Sequence, residues 1–205
     1  MIVLEGLQKK FGKQHILQDV SHTFQTGSKT VILGSNGSGK STLIKILSGA
    51  LEATEGAPTY SFEGKNITAK SAGLHVGIAA PYVALNPMFS LKETLAFHKQ
   101  FCPFPLDFKL AEWLDKAGLC AHEDKRLSTF SSGMLQRVRL LLAVANDRPL
   151  LLLDEPLSNL DTEGVQFYSE LIRSFALSKT IIVGSNYQED EYDFCTNELL
   201  LEKHY

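Results

Sequence analysis

The stretch Gly34-Ser35-Asn36-Gly37-Ser38-Gly39-Lys40-Ser41-Thr42 follows directly on the apolar run Thr30-Val31-Ile32-Leu33. Glycines with small polar residues between them, followed by a lysine, make a poor core segment and a poor plain turn. The spacing fits G-x-x-x-x-G-K-[ST], in which glycines let successive backbone N–H groups point inward around phosphate oxygens while the following helix contributes its positive end. Such a loop requires a strand before it and a helix after it. Both are written in the residues: Val31-Ile32-Leu33 reads as a strand, and Leu43, Ile46, Leu47 and Leu51 recur on one helical face, with Gly49 near its stop. A chance match in a chain of 205 residues is on the order of one in a hundred, so the loop outweighs any bland turn as an explanation.

In this loop Lys40 is placed to neutralise β- and γ-phosphates, Ser41 to offer its hydroxyl to Mg²⁺, and Thr42 to reach an α-phosphate. A cradle alone does not separate kinases, GTPases and ATPases. The second acidic element takes the next step. Leu150 to Leu153 is a continuous apolar run, as expected of a central parallel strand covered on both faces, and it delivers Asp154 and Glu155 to a strand end. Asp154 suits indirect Mg²⁺ coordination, and Glu155 can align and polarise a water for attack on the γ-phosphorus. That pairing means hydrolysis.

The rest of the chain sets the frame. Residues 1–33 read as short strands punctuated by Gly6, Gly12 and Gly27; residues 90–146 read as mostly helical, with Pro103 and Pro105 dividing the first two helices. A helix from about Gly164 to Phe175 and a buried strand at Thr180-Ile181-Ile182-Val183 follow. The formal net charge of −3 lacks the basic excess of a phosphate-backbone binder, so no nucleic-acid partner is expected. Cys102, Cys120 and Cys195 are odd in number and far apart, which argues against a disulfide framework and for a reducing cytosol. Apolar runs are far shorter than the roughly 20 residues of a spanning helix.

With these motifs in order, the chain resembles the nucleotide-binding subunit of ABC-type ATPases from its N-terminus to about residue 195. The carriers are Gly34 to Thr42, then Phe130-Ser131-Ser132-Gly133-Met134, then Leu150 to Pro156, then Ser158-Asn159-Leu160-Asp161. The resemblance implies an α/β fold: a P-loop NTPase core with a mostly parallel sheet, an N-terminal antiparallel β-subdomain and a helical subdomain inserted at about 88–146, all in one domain over 1–205. FSSGM looks like a variant of the family's L-S-G-G-Q signature, with a spelling that resembles exporter-type members. In the family this loop caps the nucleotide held by a second subunit, so the resemblance implies that Ser131, Ser132 and Gly133 bind ATP across a homo- or heterodimer. It also implies that Phe11 stacks on adenine, and that Asp161 lies across the dimer from the partner's catalytic carboxylate. The partner it implies is a separate transmembrane permease subunit, with this chain cytoplasmic and peripheral on the membrane.

Two positions depart from the family pattern. Where similar proteins carry a glutamine near Mg²⁺, the stretch Ala79 to Pro87 has none, and Tyr82 is the expected occupant, a phenol being a poorer neutral ligand than an amide oxygen. Where they end a strand with a histidine contacting the γ-phosphate, Asn186 stands, able to donate a hydrogen bond but not to carry charge. Glu155 remains, so slow hydrolysis is expected. An alternative reading is a soluble ABC-type ATPase acting as an assembly or remodelling factor, yet tandem copies and coiled-coil insertions are missing from the sequence. A GTPase or phosphotransferase built on the same cradle fits less well, since N-K-x-D is absent.

Overall fold

Apolar residues that recur along the first 24 positions build a long antiparallel hairpin, β1 (Ile2–Phe11) and β2 (Gln14–Phe24), with Gly12 in the turn at φ +59°. This corrects the expectation of short strands. Gly6 does not interrupt β1; it sits inside the strand at φ +59°, where the register shifts between Leu4 and Leu7, so it marks an irregularity in the ladder and not a stop. The computed structural model describes residues 1–62, 64–176 and 178–202. They form two compact units, one made of Met1–Val76, Arg148–Glu155 and the chain from Ser178, the other of Gly77–Asp147 and the stretch between Pro156 and Ser178.

The first unit holds two sheets. Strands β4 (Thr59–Phe62) and β5 (Lys65–Ile67) extend the hairpin into an antiparallel sheet ordered β2-β1-β4-β5. β3 (Lys29–Leu33) precedes the glycine-rich loop, and β6 (Val76–Ala79) carries the chain out of this unit. β7 (Leu150–Asp154), β8 (Thr180–Ser185) and β9 (Asn197–Leu200) join β3 in the order β7-β8-β3-β9, with every neighbouring pair parallel. Leu150 to Leu153 are each 0 % exposed, which is why β7 shows no alternation: both faces are covered. β4, β5 and β9 escape a reading by pattern because they span only three or four residues and β5 and β9 open on polar side chains.

Helix α1 (Lys40–Leu47) lies against β7 and β8 in this unit. Leu43, Ile44, Ile46 and Leu47 are all buried, each worth about 1.5–3 kcal/mol. Its far end is fixed as well. The buried Tyr60 hydroxyl donates to the Leu47 carbonyl at 3.0 Å, and Gly49 ends the helix at φ +76° against the Ala69 carbonyl, where a Cβ would come to 2.8 Å.

The second unit is helical: α2 (Leu91–Phe101), α3 (Leu110–Lys116), α4 (Ser132–Val144) and α5 (Thr162–Phe175). Ser90 and Glu93 form a capping box at the start of α2. Trp113, the chain's single tryptophan, packs among the rings of Phe108, Phe167 and Phe175, with the Lys116 ammonium 4.6 Å from its ring centre. α5 starts two residues earlier than the apolar pattern suggests, because Asp161 caps it. Among the described residues no helix is long and apolar enough to cross a membrane.

Candidate functional site

In the first unit, β3 runs through Leu33 into a loop whose turn is closed by the Ser38 N–H donating to the Ser35 carbonyl at 3.0 Å. Gly37 at φ +84° and Gly39 at φ +100° adopt backbone that side chains rarely tolerate, and a Cβ on Gly39 would fall 2.7 Å from Leu17 Cδ2 and 3.0 Å from the Ile16 carbonyl. Gly34 is as confined: its Cβ would meet the Ser38 hydroxyl and the Leu201 carbonyl. Ser35, Asn36 and Gly37 are exposed, while Ser38, Gly39 and Lys40 are buried. Gly39 caps α1, whose first turn carries no acidic residue, so the positive end of the helix faces the loop uncompensated. The Lys40 ammonium donates to the carbonyls of Gly34 at 2.7 Å and Ser35 at 3.2 Å.

The loop opens on a cavity of about 430 Å³ lined by Asn36, Gly37, Gly39, Lys40, Ser41 and Thr42, together with Ile16 from β2 and Glu155 from the end of β7. Parallel registry makes this convergence. β8 lies between β3 and β7, pairing Ser185 with Leu33 and Gly184 with Asp154, so the strand ends that carry the loop and the acidic pair stand side by side. Asp154 is 1 % exposed, and a Cβ on Gly184 would lie 3.0 Å from its Oδ1 and 2.7 Å from Ile44. Glu155 takes φ +45° while its N–H donates to the Gly184 carbonyl at 2.9 Å; the chain bends out of β7 here, and Glu155 lines the cavity. Asn186 follows directly on β8 and is exposed.

Phe11 ends β1 and is 51 % exposed, with the Lys9 ammonium 4.9 Å from its ring centre. It is not core, and Ile16 is the apolar residue that lines the cavity. Ile16 was invisible to motif reading: nothing in Gln14-His15-Ile16-Leu17 distinguishes the residue that meets the loop from its neighbours, and only the contact with Gly39 reveals it.

In the second unit Ser131 caps α4, its hydroxyl accepting from the Met134 N–H at 3.2 Å, and Ser131 and Ser132 are exposed. Gly133 is packed where a Cβ would come within 2.7 Å of the Asn159 carbonyl. Asn159 itself has φ +64°. Asp161 caps α5 through Gly164 N–H at 2.9 Å and pairs with Arg137; the Gly164 hydrogen bond, then the guanidinium, hold its carboxyl below the usual aspartate range. Arg137 also donates to the Ala117 carbonyl at 2.8 Å. Thus the signature-like loop and Ser158-Asn159-Leu160-Asp161 are brought together, with Arg137 as a link that spacing alone did not flag. Tyr82 lies in the same unit, 38 % exposed.

Comparison with known proteins bears on the family and the fold. The family model described as "ABC transporter" matches residues 17–158. An ABC transporter ATP-binding protein of Bacillus subtilis strain 168, YybJ, itself uncharacterized, is 32 % identical over 95 % of this chain and 89 % of its own length. Nod factor export ATP-binding protein I of Bradyrhizobium diazoefficiens is 31 % identical over 98 % of the chain, which spans 67 % of that relative. A bacterial ABC transporter cassette solved as a dimer superposes with a TM-score of 0.81 at 22 % identity, covering 99 % of this chain and 95 % of that one, and so shares its fold. The chain belongs to the ABC transporter family, as one of its ATP-binding members.

Proposed function

We propose that this chain binds ATP with Mg²⁺ in the loop cavity, hydrolyses it slowly as half of a dimer, and drives a separate membrane permease. The observation that carries the reading is the convergence of the glycine-rich loop and Glu155 on one cavity of about 430 Å³. Loop N–H groups and the start of α1 take up phosphate oxygens, and Lys40 exchanges its loop carbonyls for phosphate charge. The Ser41 hydroxyl and the Asp154 carboxylate are the hard oxygen donors Mg²⁺ prefers, and the ion supplies neutralisation of phosphate charge when bound. The confinement of Gly184 against Asp154 fits that reading, since any side chain there would displace the carboxylate. Glu155 accepts a hydrogen bond from water and orients it. Asn186 donates a neutral hydrogen bond in the place of a charged group, and Tyr82 stands in for an amide ligand, so both substitutions favour slow turnover.

Ser131, Ser132 and Gly133 cap the nucleotide of a second subunit, identical or related, with Asp161 facing it across the dimer; Phe11 stacks on adenine. On this reading residues 1–205 are one nucleotide-binding domain, with a helical subdomain inserted at about 88–146. The second unit carries an apolar cavity of about 440 Å³ lined by Ala84, Leu85, Phe89, Phe97, Phe101 and Leu142, with Phe97 and Phe101 more than half exposed. That face supports docking to a permease, and on this reading the chain works on the cytoplasmic side of a membrane. The spelling FSSGM and the Nod factor export relative support export as the direction.

Steady-state ATP turnover of the purified chain tests the proposal. The wild type should run slowly but above Glu155→Gln, and Lys40→Ala should lose Mg-ATP binding in calorimetry by at least tenfold. Equal rates for wild type and Glu155→Gln would show a site that binds without hydrolysing.

A further inference from the structure

Glu191 is a carboxylate with no part in the site so far, and it is 2 % exposed. It ends a single 3₁₀ turn, Glu189–Glu191. Its Oε2 accepts a hydrogen bond from the Ser185 hydroxyl at 2.5 Å. Ser185, fully buried, accepts in turn from the Gln188 N–H at 3.2 Å, and the Glu191 N–H donates to the Gln188 carbonyl at 3.0 Å. These contacts close a ring over residues 185–191. Asn186 and Tyr187 are the two residues between its anchor points; both are exposed, and Tyr187 takes φ +60°.

Strand registry says what that ring holds. Ser185 pairs with Leu33, the last residue before the glycine-rich loop, while its neighbour Gly184 pairs with Asp154 and accepts from the Glu155 N–H. Asn186 is therefore the first residue beyond the strand that separates the loop from the acidic pair. Burying a carboxylate is costly unless hydrogen bonds compensate it, so a glutamate in this turn needs a reason that an apolar residue would not meet. Ser185 has one proton to give. With Glu191 present it goes to the carboxylate; without Glu191 the hydroxyl's other acceptor is the Gln188 carbonyl, 3.5 Å away, so Ser185 keeps its bond from the Gln188 N–H at 3.2 Å but gives its own proton only weakly. We infer that Glu191, acting through Ser185, is a positioning residue that fixes Asn186 beside the ends of β3 and β7. The inference rests on the role given to Asn186 under the proposed function.

The experiment is a kcat and KM series for ATP on the purified chain, with Mg-ATP binding measured alongside, for Asn186→Ala, Ser185→Ala, Glu191→Leu and Glu191→Gln. Asn186→Ala, Ser185→Ala and Glu191→Leu should each lower kcat about fivefold with KM within about twofold of wild type. The double variant of Ser185→Ala with Glu191→Leu should be no slower than Ser185→Ala alone, because one device is removed twice. Glu191→Gln keeps a carbonyl that accepts the Ser185 proton and should recover most of the rate. A wild-type kcat for Ser185→Ala alongside a slowed Asn186→Ala overturns the inference, as does a KM that rises in step with the loss or a Glu191→Gln no better than Glu191→Leu. If Glu191→Leu does not fold, Ser185→Ala decides. A normal rate for Asn186→Ala, or a wild type no faster than Glu155→Gln, instead overturns the role assigned to Asn186 and removes the basis of this inference with it.

Discussion

Glu155 combines a place in the cavity lining with backbone at φ +45°, a conformation that glycine adopts freely and glutamate does not. Position and strain have the same cause: the chain must leave β7 sharply to present the side chain. Glu155→Gly is accordingly expected to raise unfolding stability by about 0.5–1 kcal/mol in urea titration while ATP turnover falls to background. A loss of stability would mean that the side chain contributes more through its contacts than the strain costs. The loop and Asp154-Glu155 could be picked out in the sequence because each is a run of adjacent residues at a strand end, and the structure sets the loop and Glu155 around one cavity. Ile16, Gly184 and Glu191 could not: Gly184 meets Asp154 through parallel registry and Ile16 meets Gly39 across the fold, while Glu191 reaches Ser185 only because the chain turns back after β8.

Two helix starts in the second unit, those of α4 and α5, are built from the sequence's own capping residues, Ser131 and Asp161. Serine and aspartate are favoured helix caps, so both starts follow from local sequence; that Arg137 ties the second to the chain beyond α3 does not, since an arginine on an amphipathic helix is usually solvated. The Asp161 carboxyl is held below its ordinary value of 3.8, by the Gly164 hydrogen bond first and Arg137 second. A depressed folded-state pKa gives stability that is present above the unfolded value and is lost as pH falls through the folded one. The difference in denaturation midpoint between wild type and Asp161→Asn should therefore be constant at neutral pH and shrink below about pH 3.8. A difference unchanged down to pH 2 would show that Asn caps and pairs equally well. The long strands β1 and β2 were the elements least well read, because Gly6 and Gly12 look alike in sequence while only one of them is at a turn.

At the scale of the whole molecule, the fold class and the order of motifs were legible from the sequence, whereas β9 beside β3 depends on a four-residue strand with two polar residues. The proposed dimer makes a hydrodynamic prediction. Glu155→Gln should sediment as a monomer alone and as a dimer with Mg-ATP, and Ser131→Arg, which sets a bulky cation on the exposed signature-like loop, should stay monomeric while still binding nucleotide. Dimerisation unaffected by Ser131→Arg would remove that loop from the interface. Trp113, buried among phenylalanines of the helical unit, gives this chain a built-in optical label. Its emission reports on the packing around it in that unit, so a thermal melt recorded by tryptophan fluorescence and one recorded by loss of nucleotide binding will coincide if the chain unfolds as one cooperative domain and separate if it does not.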